Sequence, residues 1–339
     1  MRETMPKRLS NLVLLAILSG ATLRAEQPKT PTDASPEEIT AWVEELGNED
    51  FSVRTAAEEK LRKSGSAARA DLEKAQKNED AEIRTRAQKL LGPIITGPYF
   101  DKMRDALAAA KALECKVAMT AKYSGAALDY KGTLKAPASA KTWTMDLLYA
   151  AGGQEMPTKY VCDGTHVFQE TTYNAGGDKK QTQVVKYGAG SYEKISTWMP
   201  QYIPCPLHVF RNVRERFDFR TVTEAKLDGE DVVVLEGRVQ PDAEAAMLAA
   251  ATEVGGAWLA NQVRAGGGAI AQARVYLAKA DNMPRKLAIL SGNGDEIQTV
   301  LLSEIKTGVT LDASAFRYEP PKGVHVHDME QTFQQQRGR

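Results

Sequence analysis

The chain has 339 residues, and its 44 Lys and Arg residues are balanced by 44 Asp and Glu residues. This length suffices for one sizeable core and a smaller second domain. Because the formal net charge is zero, the composition argues against a basic field that would hold nucleic acid or an anionic membrane surface. The three cysteines, Cys115, Cys162 and Cys205, allow at most one intramolecular disulfide, and their spacing leaves the pairing open.

Residues 1–25 have the pattern of a secretory signal peptide. Two basic residues precede a short apolar run, and Ala21 and Ala25 are alternative cleavage points. The apolar run is shorter than the ~20 residues that span a bilayer. We therefore predict an exported periplasmic chain with no stable membrane insertion after cleavage. The uneven residues 26–35, which contain Pro and Thr, are predicted to form a linker.

Residues 36–92 contain a helical repeat. The segment 48–55 (Asn-Glu-Asp-Phe-Ser-Val-Arg-Thr) returns at 78–85 (Asn-Glu-Asp-Ala-Glu-Ile-Arg-Thr), and Leu61 then matches Leu91. In each copy the Asn-Glu-Asp turn is predicted to cap a helix. The pattern resembles the helical pairs of HEAT-like repeats. This resemblance implies a module of HEAT-like hairpins that could bind a protein partner, and a helical hairpin without repeat ancestry is the alternative.

The end of this module is marked by two Gly-Pro pairs, at 92–93 and 97–98, which predict a break in the helix. A further helix is predicted over 99–113, with Met103 and Leu107 on one face. Beyond it, the period of the apolar residues changes from about 3.6 to about 2. The remainder of the chain is therefore predicted to be mainly β-sheet.

Three segments after that helix, 113–123, 128–134 and 143–149, alternate apolar and polar residues. Each is predicted to form an antiparallel strand with one wet face. Their joined apolar faces are predicted to line a hydrophobic ligand cavity through Val117, Met119, Tyr130, Leu134, Trp143 and Met145. A filled core is the alternative interpretation, but large side chains and adaptable methionines favour a cavity.

The middle of the chain predicts a hairpin at 160–168 that turns at Asp163-Gly164. The segments that follow are a strand at 181–187, helices at 191–199 and 204–210, and strands at 217–220 and 231–237. An Ala- and Gly-rich helical insertion is predicted over 243–273, with interruptions at Gly255-Gly256 and at 266–268.

The C-terminal part of the chain carries a family signature. Strands at 274–278 and 286–290 are joined by an Asp-Asn-Met-Pro turn, and an alternating strand follows at 297–305. The stretch closes with Phe316-Arg317-Tyr318-Glu319-Pro320-Pro321-Lys322-Gly323-Val324. This ending, together with the Val-Cys-Asp-Gly hairpin at 161–164, resembles the LolA-like lipoprotein and lipid carriers of the bacterial envelope.

The LolA-like resemblance spans roughly residues 100–328 and implies an α+β fold. Its main part would be a strongly bent antiparallel half-barrel sheet plugged by helices, over 99–328, with a disordered tail at 329–339. The resemblance implies a non-enzymatic carrier of the acyl chains of a lipid or lipoprotein. Some LolA-like proteins are envelope-stress regulators, so a sensor or adaptor without transported cargo is the alternative.

The sequence predicts no catalytic residues, no cofactor and no metal site. It has four histidines and lacks the Gly-x-Ser-x-Gly, P-loop, Rossmann and His-Glu-x-x-His motifs. His325 and His327 share one side of a strand, as two metal ligands would, but a solvated strand end explains them better. Cys162, Asp163 and His166 offer a nucleophile and a base, but the hairpin turn is the better explanation of Asp163.

Overall fold

The computed structural model describes residues 34–123, 126–151, 154–175, 179–196, 203–266 and 270–337. The predicted signal peptide, and all but the end of the predicted linker 26–35, lie outside these residues. The described chain begins with four helices: α1 Pro36–Glu45, α2 Phe51–Ser64, α3 Arg69–Ala75 and α4 Ala81–Ala109. A 3-10 turn, Gly65–Ala68, connects α2 to α3.

Helix α1 begins with a capping box made by Ser35 and Glu38. The Glu38 backbone nitrogen donates to Ser35 Oγ over 3.2 Å, and the Ser35 nitrogen donates to Glu38 Oε2 over 2.7 Å. The two side chains therefore satisfy backbone donors that the first turn leaves without partners. Ser35 thus fixes the start of α1 at Pro36, the first residue of the predicted helical module.

The repeated segments of α2 and α4 have the same local structure. Asp50 and Asp80 each accept a 2.7 Å hydrogen bond from the backbone nitrogen two residues further on. Arg54 and Arg84 each donate to both carbonyl oxygens of the preceding Asn-Glu pair. The repeated sequence thus encodes one arrangement twice, a capped helix start whose arginine fastens the turn before it.

Helix α4 continues through both Gly-Pro pairs, so the break predicted at 92–98 is wrong. Proline removes a backbone donor and usually kinks or ends a helix. Here Thr96 Oγ1 lies 3.0 Å from the Gly92 carbonyl oxygen of the same helix. It also makes a tertiary contact, 3.2 Å from the carbonyl oxygen of Phe219 in a later strand. Burial of Phe100 against the sheet then fixes the second half of the helix.

The described residues form one sheet of twelve strands. The strands are β1 Ala112–Tyr123, β2 Ala126–Pro137, β3 Trp143–Ala151, β4 Gln154–Cys162, β5 His166–Asn174, β6 Lys180–Gly188, β7 Phe217–Leu227, β8 Glu230–Val239, β9 Ile270–Ala278, β10 Pro284–Ser291, β11 Glu296–Thr307 and β12 Val326–Asp328. Their order is β12-β6-β5-β4-β3-β2-β1-β11-β10-β9-β8-β7. Neighbours are antiparallel except β12, which runs parallel to β6. The sheet is open, because β12 and β7 are its edges, and the predicted α+β class with an antiparallel sheet is confirmed.

The predicted turn between β4 and β5 is confirmed. Asp163 Oδ1 accepts the backbone N–H groups of Thr165 and His166, each over 2.7 Å. Gly164 has a φ of 95°, which a residue without Cβ adopts at little cost. The Asp-Gly pair therefore sets the length of the hairpin loop and with it the register of the two strands.

Gly132 in β2 lies where β2 and β3 approach closely. A Cβ at this position would come within 1.9 Å of the Asp146 carbonyl oxygen. Replacing Gly132 with Ala is therefore expected to lower the free energy of unfolding by ~1–3 kcal/mol, because the strand backbones must shift apart. Urea denaturation measures this loss.

A matched control is Gly190→Ala in the helix Ala189–Ser196, where an added Cβ would meet no atom within 4 Å beyond its chain neighbours and the backbone of its own helix. This change should leave stability unchanged or raise it by up to ~1 kcal/mol, because alanine is the better helix former. A Gly132→Ala variant as stable as Gly190→Ala would contradict the close approach of the two strands.

Four more helices cover the sheet: α5 Ala189–Ser196, α6 Pro206–Arg216, α7 Ala243–Gly266 and α8 Met329–Arg337. The kink in α7 falls at Gly255 and Gly256, where the sequence predicted an interruption. The predicted end of this insertion at 273 is wrong, because β9 begins at Ile270. Ala273 pairs with Ile289 of β10 and is fully buried, so sheet pairing takes these residues from the helix.

The tail predicted to be disordered at 329–339 is helix α8 in its described part. Phe333 is 0% exposed and packs into the main core. The α7 kink receives this helix closely: a Cβ on Gly255 would lie 3.3 Å from Phe333 Cδ1, and one on Gly256 would lie 3.1 Å from Arg337 Cα. The tail is mostly polar, but its one aromatic residue, Phe333, packs in the core and holds the tail as a helix.

Asp328 joins the start of α8 to the sheet. Its Oδ2 lies 2.5 Å from Lys186 Nζ in β6, and its Oδ1 accepts a 3.0 Å hydrogen bond from the Glu330 backbone nitrogen. Burial acts to raise the pKa of Asp328, but the hydrogen bond and charge of Lys186 and two backbone hydrogen bonds outweigh it and lower that pKa. The carboxylate form is thus the form that anchors the helix.

Acid is expected to loosen α8. Because the folded-state pKa of Asp328 is lowered, its contribution to stability is complete above the unfolded pKa of about 3.9 and is lost as pH falls through the folded value. Hydrogen-exchange protection of 329–337 should therefore fall between about pH 5 and about pH 2 in the wild type. Asp328→Asn should show weaker protection at pH 5 and a smaller fall. Equal pH dependence in both proteins would argue against this anchor.

Buried apolar side chains form two clusters in the described chain. The smaller one joins helices α1, α2 and α3 to the first half of α4, around Leu46, Leu61 and Leu72. The larger one contains one face of the sheet, the second half of α4 and side chains of helices α5 to α8. Helix α4 contributes to both clusters and so connects the N-terminal helices to the sheet.

Among the described residues, no helix has the length and apolar character needed to cross a membrane.

Candidate functional site

The six side chains predicted to line a ligand cavity lie together on one face of β1, β2 and β3. Cross-strand pairs place Met119 opposite Tyr130 and Leu134 opposite Met145. All six, which include Val117 and Trp143, are 0 to 5% exposed and belong to the larger cluster. The predicted apolar face is therefore buried under the helices, and its role in holding a ligand stays a prediction.

A cavity of about 780 Å³ opens at the end of this face, where β3 begins and β4 ends. We call it the mouth cavity. Its apolar wall is made by Trp143, Cys162, Val167, Tyr192 and Cys205, and its polar rim by Lys141, Glu193, His208, Arg211 and Asn212. The volume lies within the ~300–1,000 Å³ of small-molecule sites. Of the six predicted residues, Trp143 lines the mouth cavity.

Helix α6 is fastened over the mouth cavity by two side chains. His208 Nε2 lies 2.8 Å from the Ala140 carbonyl oxygen, and Arg211 Nη1 donates to the Ser139 carbonyl oxygen over 2.8 Å. His208 Nδ1 also lies 3.6 Å from Glu193 Oε1 in α5. These contacts hold α5, α6 and the β2–β3 connection together. Burial lowers the pKa of Arg211.

Aromatic rings extend from the mouth cavity into the core. The Tyr192 ring centroid lies 6.4 Å from that of Trp143, 6.5 Å from that of Tyr160 and 4.9 Å from that of Tyr187. Tyr192 Oη donates to the Ile203 carbonyl oxygen over 2.9 Å, so the hydroxyl has a partner without solvent. Burial raises the pKa of Tyr160 well above its ordinary value. The cavity wall is thus continuous with the buried apolar face.

The thiols of the mouth cavity are in an apolar setting. Cys162 Sγ donates weakly to the Lys141 carbonyl oxygen over 3.5 Å. Burial raises the pKa of Cys162 to about 11 and that of Cys205 to about 12. The thiolate is the nucleophilic form of cysteine, and this setting disfavours it. Asp163 is occupied by its turn, with its Oδ2 3.9 Å from Nδ1 of His166.

The two C-terminal histidines lie in and just before one short strand. His327 lies in β12 opposite Val185 of β6, and His325 precedes that strand. Within the residues that the structure describes, no group of three or more His, Cys, Asp or Glu side chains is arranged to hold a metal ion.

The sequence predictions did not include the rim residues of the mouth cavity on α5 and α6. Glu193, His208 and Arg211 are far from Lys141 in the chain and meet it through the packing of α6 against the β2–β3 connection. One local signal was present: His208 and Arg211 are spaced i, i+3, which places both on one face of a helix.

No family model matches the chain, and no curated protein matches it. Several solved structures do. An uncharacterized conserved protein from Thermus thermophilus is 15% identical with a TM-score of 0.40, covering 69% of this chain and 99% of its own. The MucA/MucB complex of Pseudomonas aeruginosa gives 11% identity and a TM-score of 0.34, with 66% of this chain and 61% of that chain covered. A LolA superfamily protein from Nitrosomonas europaea is 10% identical with a TM-score of 0.27, and the match covers 66% of this chain and 97% of that chain. The last of these structures is named as a member of the superfamily that the sequence resembles.

Proposed function

We propose that this protein is a non-enzymatic binder or carrier of a lipid or lipidated protein. The observation that carries the proposal is the mouth cavity, which is lined by Trp143, a residue of the buried apolar face. An acyl chain would enter there and lie along Val117, Met119, Tyr130, Leu134 and Met145, with the covering helices displaced. The mixed rim of Lys141, Glu193 and Arg211 would face the polar head group.

The energetics fit a carrier that works without nucleotide hydrolysis. Removing a 16-carbon acyl chain from water gains ~12 kcal/mol at ~0.8 kcal/mol per CH₂. A bilayer offers the same gain. The protein therefore needs a lining about as apolar as a bilayer, and the direction of transfer would come from its partners.

The test uses the full chain. The purified protein is extracted with organic solvent for lipid mass spectrometry, and a fluorescent acyl probe is titrated into the delipidated protein. Co-purifying acyl lipid and a saturable probe signal that the extracted lipid competes away are expected. No extracted lipid together with no probe signal would contradict the proposal.

The location of the protein and the role of its N-terminal helices extend this proposal. The signal-peptide pattern of 1–25 supports export to the periplasm. Residues 36–92 would be a HEAT-like module that docks a protein partner. Phe51 at the start of α2 supports docking, because it is 66% exposed and has the Arg54 guanidinium 5.6 Å from its ring. Exposed aromatic and arginine side chains are frequent anchors at protein interfaces.

The same observation favours a second candidate, an envelope-stress adaptor without transported cargo. Affinity capture of the full chain from its native envelope fraction, compared with Phe51→Ser, separates the two. A stoichiometric protein partner that Phe51→Ser releases, bound to a chain free of lipid, would favour the adaptor. Co-purified lipid with no such partner would favour the carrier.

A further inference from the structure

The mouth cavity contains two of the three cysteines. Cys162 is the last residue of β4 and Cys205 directly precedes α6, and both line the cavity as free cysteines. Because Cys162 and Cys205 are far apart in the chain, the sequence alone does not show that they line one cavity.

Short contacts bring the two cysteines to the same segment. Cys162 Sγ lies 3.5 Å from the Lys141 carbonyl oxygen. His208 Nε2 lies 2.8 Å from the carbonyl oxygen of the neighbouring Ala140. The His208 backbone nitrogen in turn donates to the Cys205 carbonyl oxygen over 3.0 Å. Cys205 therefore lies one helical turn from His208. The His208 ring contacts Ala140, the residue next to the Lys141 that Cys162 contacts.

Sheet geometry separates Cys115 from Cys162. In the strand register Cys115 is opposite Leu134, which is opposite Met145, which is opposite Tyr160. Three inter-strand spacings of ~4.8 Å place Cys115 roughly 14 Å from that part of β4. Disulfides need Cα atoms within about 7 Å. Cys115 is also absent from the lining of the mouth cavity.

We propose that Cys162 and Cys205 form an intramolecular disulfide when the chain meets a disulfide oxidant such as oxidised glutathione. One deprotonated thiol attacks the glutathione disulfide, forms a mixed disulfide and releases one glutathione. The second thiolate then attacks the protein sulfur of that mixed disulfide and releases the other glutathione. Two protein thiols and one oxidised glutathione give one protein disulfide and two glutathione thiols.

The bond would tie the start of α6 to the end of β4 across the wall of the mouth cavity. It would close a loop that contains β5, β6 and α5. Closing a loop of this size is expected to raise the melting temperature by roughly 5–10 °C. Burial raises the pKa of both thiols, so oxidation of the folded chain should be slow at neutral pH and faster near pH 9. The disulfide would form whether or not the protein binds a lipid.

The test is oxidation of the full-length folded chain with oxidised glutathione near pH 9, and refolding in a glutathione redox buffer. Remaining thiols are alkylated before non-reducing trypsin digestion. The three cysteines fall on separate tryptic peptides, 112–116, 160–179 and 195–211. The expected result is a crosslink between 160–179 and 195–211, with 112–116 alkylated.

Three variants complete the test. Cys115→Ser should keep the crosslink and the melting shift, whereas Cys162→Ser and Cys205→Ser should each lose both. Circular dichroism confirms that each variant is folded, and Cys→Ala versions replace any that is not. Separate alkylation of both cysteines after oxidation, crosslinks that involve Cys115, or crosslinks only between two chains would each overturn the proposal.

Discussion

Trp143→Ala is expected to weaken binding of an acyl probe by at least about tenfold, a loss of about 1.4 kcal/mol or more. Trp143 is the residue of the predicted apolar face that also lines the mouth cavity, so a chain entering the cavity would contact it first. The change should cost less stability than the ~3–5 kcal/mol of emptying a filled core. The reason is that the mouth cavity already borders Trp143.

Thermal melts with and without a fatty-acyl ligand measure the stability of the wild type and of Trp143→Ala. Titrations with the acyl probe measure the affinity of each protein. Leu61→Ala is a matched control, because Leu61 is fully buried in the separate N-terminal cluster. That variant should lose ~2–5 kcal/mol of stability and keep the affinity for the probe. A large drop in melting temperature for Trp143→Ala, with no ligand-dependent shift in either protein, would show that the face is a filled core.

The parts of the fold that the sequence predicted well are those set by local chemistry. Asp163 bonds its own turn, and Asp50 and Asp80 bond the first turns of their helices. The alternating segments of β1 to β3 form strands because their apolar residues lie on one face. In each of these cases the residues that decide the structure are close together in the chain.

The features that the sequence did not predict depend on residues that are far apart in the chain. The Gly-Pro pairs of α4 lose their local preference to contacts with a strand more than a hundred residues away, as the bond from Thr96 to Phe219 shows. The mouth cavity likewise depends on the long-range packing of α6 against the β2–β3 connection. The spacing of His208 and Arg211 places both on one helix face but does not indicate what that face contacts. Local signals therefore predicted the elements and not the site that their packing creates.

Phe333→Ala is expected to release helix α8 from the rest of the molecule. Phe333 is fully buried in the main core, whereas most of its neighbours in the helix are polar. Removing a buried aromatic ring typically costs ~3–5 kcal/mol. An isolated nine-residue helix is below the ~12–15 residues that hold helical structure alone in water. Without its anchor, α8 should therefore unfold rather than re-dock.

Hydrogen exchange across 329–337 and urea denaturation measure this release, and Phe51→Ala is the matched control. Phe51 is 66% exposed, so its removal should change stability by no more than ~0.5 kcal/mol. Phe333→Ala should instead lose protection throughout α8 and lower the free energy of unfolding of the chain. If the tail were disordered, as its polar composition predicts, residues 329–337 would exchange their amide hydrogens at random-coil rates in the wild type. Phe333→Ala and Phe51→Ala would then be equally stable. That outcome would show that the single aromatic anchor does not fold the tail.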